Sequence, residues 1–184
     1  MAGAVNGGGG LVVVCKNAKQ QIVSTELLDL FEAKARGATL ISSFSMVSDY
    51  RVAMGRWLAM HGGRTTFESN EKIQEYLNDI LSYPRTRFTR FGETLPETKD
   101  FKTEKLPKRC ELKQLAYFSD DLNQLQINTE IWQRLDAQNK IALLLHEIVY
   151  RNERLANGAI NSDYTRYLVG ELFSTEWSNY LPEN

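Results

Sequence analysis

The fold is decided by residues 142–151, whose sequence is ALLLHEIVYR. Apolar residues surround the adjacent His146 and Glu147, so this stretch predicts a buried helix that carries two ionisable side chains. Burying an ionisable group costs free energy unless a partner or a function compensates for it. His146 and Glu147 are therefore the first candidates for a functional site.

Bulk properties exclude several classes of protein. The 184-residue chain has a formal net charge of −1, which gives no overall attraction to nucleic acid or to an anionic membrane. No apolar run approaches the roughly 18 residues of a membrane span. We expect no nucleic-acid partner, no membrane span, and one domain over residues 11–184. Residues 1–10, which are rich in glycine, are expected to form a flexible leader without the apolar core of a signal peptide.

The spacing of apolar residues predicts an α+β fold that is predominantly helical. A small antiparallel sheet is expected from an N-terminal strand at 11–15 and a hairpin at about 111–127. Proline and charged residues are frequent in 84–109, which predicts a charged loop excursion with one edge strand. Helices are expected at 24–36, 40–60, 68–82, 129–135, 137–157 and 163–177, the last of them capped by Ser162.

The central helix resembles the first half of the zinc-protease signature H-E-x-x-H, but Tyr150 replaces the second histidine. The chain has one other histidine, His61. A metal-dependent site would have to combine His146 and His61 with a carboxylate from Glu147, Glu153 or Glu171. No spacing singles out such a set, so we expect neither a metal nor another cofactor.

A metal-free hydrolase is the second interpretation of this helix. Apolar surroundings raise the pKa of a glutamate into the range that acid–base catalysis needs. Glu147 would then be the general acid or base, with His146 and Tyr150 completing a polar centre that Arg151 and Arg166 orient.

A structural role is the third interpretation, and the pattern favours it. His146 would hydrogen-bond Tyr150 or a backbone carbonyl, and Glu147 would pair with Arg151 or with Arg166 on the following helix. Such satisfied networks hold helices in register.

Arg85, Arg87 and Arg90 alternate with Phe88 and Phe91, which gives a second candidate for binding. Basic and aromatic side chains together bind single-stranded nucleic acid or an anionic polymer. The alternative is a charged edge strand whose arginines block unwanted strand pairing. Acidic residues nearby favour the edge strand, because they neutralise part of the charge; these are Glu93, Glu97, Asp100 and Glu104.

Cys15 and Cys110 each touch a strand-like run and belong to no C-x-x-C motif. The spacing is equally compatible with two buried thiols and with a disulfide between the N-terminal strand and a later one.

A resemblance covers most of the chain, although residues 40–107 are largely unmatched. The chain resembles a group of small exported bacterial proteins that have no established function. The order of the shared segments is more specific than any one of them: 12–15 after the glycine-rich leader, 26–33, 109–116, 131–135, 142–151 and 166–174.

This resemblance implies a periplasmic or secreted bacterial protein whose signal peptide has been removed. It also implies a Cys15–Cys110 disulfide, since export supplies an oxidising compartment. We therefore expect a cell-envelope protein that binds a cell-wall or peptide ligand through the 85–109 excursion, with a hydrolase centred on His146 and Glu147 as the alternative.

Overall fold

The structure is a computed structural model that describes residues 10–60, 70–82, 85–98, 106–119 and 121–180. It has the expected α+β fold, but the strands form two small sheets in place of one. The predicted hairpin region divides at Leu115, and its two halves enter different sheets. His61, Pro84, Asp100 and Glu104 lie outside the described residues.

The first sheet is built around strand β1 (Leu11–Lys16). It pairs antiparallel with β2 (Ile22–Leu27) on one side and with β4 (Cys110–Gln114) on the other. Val12, Val13 and Val14 are fully buried, as expected for an apolar strand in the centre of a sheet. The first sheet therefore joins the N-terminal strand to a segment about 100 residues later.

A disulfide joins Cys15 of β1 to Cys110 of β4. The two residues are directly opposite each other in the antiparallel register. The disulfide implied by the resemblance is thus confirmed, and it closes a loop with a sequence separation of 95 residues.

The predicted helix at 24–36 is wrong in its first part. Residues up to Leu27 belong to β2, and helix α1 (Leu28–Ala35) starts there. β-branched residues such as Ile22 and Val23 suit a strand, and pairing with β1 outweighs the local helix signal. Gly37 ends the helix region as expected, with a positive φ of 97°.

The second sheet has the strand order β3-β6-β5. β5 (Ala116–Ser119) and β6 (Gln124–Ile127) form the expected antiparallel hairpin, and β3 (Thr86–Phe88) lies parallel to β6 at the edge. The edge strand predicted within the excursion is therefore confirmed.

The remaining elements are helical. Within the described residues they are α2 (Met46–Met60), α3 (Asn70–Leu81), α4 (Thr129–Trp132), α5 (Ala137–Asn157), α6 (Asp163–Leu172) and a 3₁₀ helix (Thr175–Tyr180). α6 ends five residues earlier than predicted, and the 3₁₀ helix takes up the rest. None of the described helices has the length and hydrophobicity that crossing a membrane requires.

Helix α5 carries the core and has the predicted bounds. The Asp136 side chain accepts a hydrogen bond from the Asn139 amide at its start, and Gly158 ends it in the left-handed conformation with a φ of 66°. Residues 141–145 are all buried, and α5 packs against strand β2 and helices α1, α2 and α6. The polar pair His146–Glu147 follows directly on this buried segment.

Candidate functional site

The buried polar centre is built from α1 and α5. His146 Nδ1 of α5 lies 2.7 Å from Asp29 Oδ2 of α1, and both side chains are sealed from solvent, with exposures of 1% and 0%. Burial alone would lower the pKa of His146. The charge of Asp29 and its hydrogen bond, with the neighbouring Glu147, outweigh burial and raise that pKa. The Asp29 side chain therefore favours the protonated form of the His146 ring in the interior.

Two atoms of this ion pair have no hydrogen-bond partner among the described residues. They are His146 Nε2 and Asp29 Oδ1. Unsatisfied buried polar atoms are exceptions in folded proteins, and each costs roughly 1–3 kcal/mol. The pair therefore forms one short hydrogen bond, and each partner keeps one buried polar atom without a hydrogen bond.

Glu147 points away from that pair towards the start of β1. Its Oε1 accepts a hydrogen bond of 3.0 Å from the backbone N–H of Gly10. Loss of hydration raises the pKa of Glu147 to about 7, against the opposing influence of His146 and of the Gly10 hydrogen bond. Glu147 is half-buried, so this residue lies close to solvent. Its carboxyl is nevertheless poorly hydrated.

The arginines expected to orient Glu147 contact other groups. Arg151 donates a 3.3 Å hydrogen bond to Asn123 and lies over the ring of Phe118. Arg166 is buried and binds Glu32 of α1 at 3.1 Å and Ser162 Oγ at 2.9 Å. Within the described residues Glu147 forms no ion pair with either arginine, so the expected pairing is wrong. Glu147 instead accepts a hydrogen bond from a backbone amide, and Arg166 links α6 to α1 through its ion pair with Glu32.

The Ser162 hydroxyl therefore does not cap α6, contrary to the sequence expectation. It forms no capping hydrogen bond to the helix, because its oxygen accepts from Arg166. Asn161 accepts a hydrogen bond from the Asp163 amide at the start of this helix.

Tyr150 lies one turn after His146, and their ring centroids are 6.1 Å apart with the planes tilted by 43°. Tyr150 is also buried, with an exposure of 4%. The proposed catalytic residues thus lie near one another, but His146 and Tyr150 are enclosed and only Glu147 approaches the surface. The described residues contain no group of three or more His, Cys, Asp or Glu side chains arranged to hold a metal.

The three arginines of the excursion do not form one basic surface. Arg85 pairs with Asp79 at 3.1 Å on the surface. Arg87 binds both carboxylate oxygens of Glu93, at 2.6 and 2.8 Å. Arg90 is exposed. Since β3 is an edge strand and two of the three arginines, Arg85 and Arg87, are paired with carboxylates, the geometry favours the edge-strand interpretation over binding of a polyanion.

A cleft of about 610 Å³ lies between the excursion and β4. Leu95 and Ile131 are the buried apolar residues among those that line it, and Thr98 ties its outer wall to the Gln114 side chain. In the part of the chain that the structure describes, the charged residues of its lining are three carboxylates and one ammonium, from Glu93, Glu97, Glu130 and Lys113.

One wall of the cleft is the free edge of β4. Hydrogen bonds from Lys16 to Arg109 and from Leu115 to Gly10 show that the odd-numbered residues of this strand face β1. The backbone groups of Leu112 and Gln114 therefore point away from β1, and both residues line the cleft. Among the described residues no backbone group pairs with them on that side.

Sequence reasoning missed Asp29, Gly10 and the free edge of β4. The only local signal for Asp29 was a carboxylate between Leu28 and Leu30 on the buried face of a helix. Gly10 was assigned to the leader, yet it is buried and hydrogen-bonded on both sides.

Comparison with protein-family models, with curated proteins and with solved structures found no match to this chain.

Proposed function

We propose that this protein is an exported bacterial cell-envelope protein that binds an extended peptide, such as a stem peptide of the cell wall, in the cleft beside β4. The free edge of β4 is the observation that carries this proposal. An extended peptide adds to such an edge through main-chain hydrogen bonds, while its alternate side chains enter the neighbouring cleft. The Cys15–Cys110 disulfide supports export, because disulfides persist in oxidising compartments.

The charges of the lining favour a peptide with cationic side chains. Glu97 is exposed, and Glu130 uses one oxygen to accept from the Gly92 amide, so both carboxylates border the cleft. Lys113 is the single cation among the described residues of the lining, and it is paired with Glu111 at 3.3 Å. An amine on the peptide would therefore meet a negative field.

A titration with an acetylated and amidated octapeptide of alternating lysine and valine tests this function. We expect saturable shifts of the Leu112 and Gln114 backbone amides in NMR spectra. The same octapeptide, N-methylated at every second residue, keeps its charge but cannot complete the strand ladder, so it should not bind. Glu97→Gln should weaken binding, whereas Glu75→Gln on the exposed face of α3 should not. Equal binding of both peptides, or no shift at Leu112 and Gln114, would contradict the proposal.

The hydrolase alternative has weaker support. A catalytic glutamate must reach the substrate within hydrogen-bonding distance, but one Glu147 oxygen is bonded to Gly10 and His146 is enclosed. If the protein is a hydrolase, Glu147→Gln should abolish turnover of a peptide substrate and leave the fold intact.

A further inference from the structure

The cleft has a second wall opposite β4, formed by residues 92–98 and called the strap below. The strap lies outside every described helix and strand. Its first residue, Gly92, donates its N–H to Glu130 of α4 at 2.7 Å. At its other end, the backbone N–H and the hydroxyl of Thr98 donate to Gln114 Oε1 at 3.2 and 3.1 Å. Both ends of the strap are therefore fixed, and at Thr98 it lies one glutamine side chain away from β4.

The middle of the strap has unpaired backbone groups beside the cleft. Leu95 and Glu97 line the cleft, whereas Pro96 between them is exposed and does not. Among the described residues, no hydrogen bond engages the backbone of Leu95 or Glu97. A residue that precedes proline favours an extended backbone, in which alternate residues direct their N–H and C=O groups to the same side. An extended strap thus turns Leu95 and Glu97 towards the cleft, and the N–H that proline lacks falls on the outer side.

Strand β4 offers the same kind of edge from the opposite wall. Its free backbone groups are those of Leu112 and Gln114, which line the same cleft of about 610 Å³. Unpaired edges are templates for pairing with another chain, and proteins normally block or cover them. Neighbouring strands lie about 4.8 Å apart, so one extended chain fills a gap of roughly 10 Å between two such edges. Two facing edges therefore suit a single strand that pairs on both sides.

We propose that the peptide lies as a strand between β4 and the strap and forms main-chain hydrogen bonds along both of its edges. Alternate peptide residues pair with Leu112 and Gln114, and the residues between them pair with Leu95 and Glu97. Recognition then depends on the N–H groups of consecutive peptide residues, so a proline at any position within the cleft weakens binding. This inference rests on the proposed function of the cleft and adds the strap as a second binding element.

Amide hydrogen exchange of the full-length, oxidised protein, with and without the lysine–valine octapeptide, tests the strap. At saturation, exchange at Leu95 and Glu97 should slow on the order of tenfold or more, together with exchange at Leu112 and Gln114. Slowing at Leu112 and Gln114 alone overturns the role of the strap and leaves peptide addition to β4 standing. Absence of binding, with no slowing on either wall, overturns both the strap and the proposed function.

Two variants at one position separate the backbone of the strap from its charge. Glu97→Pro and Glu97→Ala both remove the carboxylate, but only the proline also removes the N–H. Within the described residues Glu97 forms no hydrogen bond, so the two variants should have equal urea midpoints. One main-chain hydrogen bond corresponds to roughly a two- to tenfold change in affinity, and Glu97→Pro should bind the octapeptide more weakly than Glu97→Ala by that factor. Equal affinity of the two variants overturns pairing of the peptide with the strap.

Discussion

Replacing Glu147 by glutamine should stabilise the protein above pH 7 and have little effect in acid. Glutamine keeps an oxygen that can accept from the Gly10 amide, but it carries no charge to be hydrated. In the parent protein the pKa of Glu147 is about 7, above its ordinary value of 4.5. The folded state therefore gains from the bound proton below pH 4.5 and loses that gain as the pH rises to about 7.

The size of the effect follows from the same pKa change. At about 1.4 kcal/mol per pH unit, the rise from 4.5 to about 7 corresponds to roughly 3 kcal/mol. This figure is an upper limit, because Glu147 is half-buried and a local movement can hydrate it. His146 remains paired with Asp29 in the variant, so its contribution largely cancels in the comparison.

Urea unfolding of the oxidised protein at pH 5, 6, 7 and 8 measures this difference. The variant should exceed the parent in free energy of unfolding by less than about 1 kcal/mol at pH 5 and by about 2–3 kcal/mol at pH 8. Glu153→Gln supplies the control, since it removes one carboxylate from the same helix at a distance from Gly10. A variant that is less stable than the parent at pH 8 would refute the reasoning, because ionised Glu147 would then be stabilising.

Further predictions concern other buried contacts. Asp29→Asn should cost roughly 3–5 kcal/mol and lower the pKa of His146, because burial is then no longer outweighed by a carboxylate. An NMR titration in which the His146 ring stays protonated at pH 7 in this variant would contradict the role of Asp29 in raising the pKa of His146. Replacing both cysteines by serine should lower the free energy of unfolding by about 2–4 kcal/mol, since it opens the Cys15–Cys110 loop. An unchanged urea midpoint would argue against a stabilising effect of this disulfide. Gly170→Ala should cost about 1–3 kcal/mol, because its Cβ would lie 2.8 Å from that of Ala33 where α1 packs on α6. Combining it with Ala33→Gly should recover part of that loss, and a neutral single variant would disprove close packing there.

Local signals in the sequence were sufficient to place helix α5. Asp136 and Gly158 act within a few residues of the helix ends, so both could be assigned without knowledge of the fold. Strand β2 could not be recognised in the same way. This segment is a strand because it pairs with the edge of β1, whereas the sequence at Glu26 and Leu27 is by itself compatible with a helix.

The central residues of the candidate site could be predicted from the sequence, but the residues that they contact could not. Burial of His146 and the raised pKa of Glu147 follow from the apolar residues around them. Asp29 is 117 residues away from His146, and Gly10 is 137 residues away from Glu147. Nothing in either segment specifies that distant contact, because it arises from packing of α1 and β1 on α5. The arginines at 151 and 166 satisfied the local spacing, yet both found other partners.

The disulfide also determines what cleavage of the chain does to the molecule. A cut at any bond between Cys15 and Cys110, including one in the exposed part of the excursion around Pro96, leaves two fragments that remain covalently joined. The C-terminal fragment would carry β4, β5, β6 and helices α4 to α6, and it would stay attached to the segment containing Gly10 and β1. A nicked molecule should therefore migrate as a single species until it is reduced, with the β1–β4 pairing still in place.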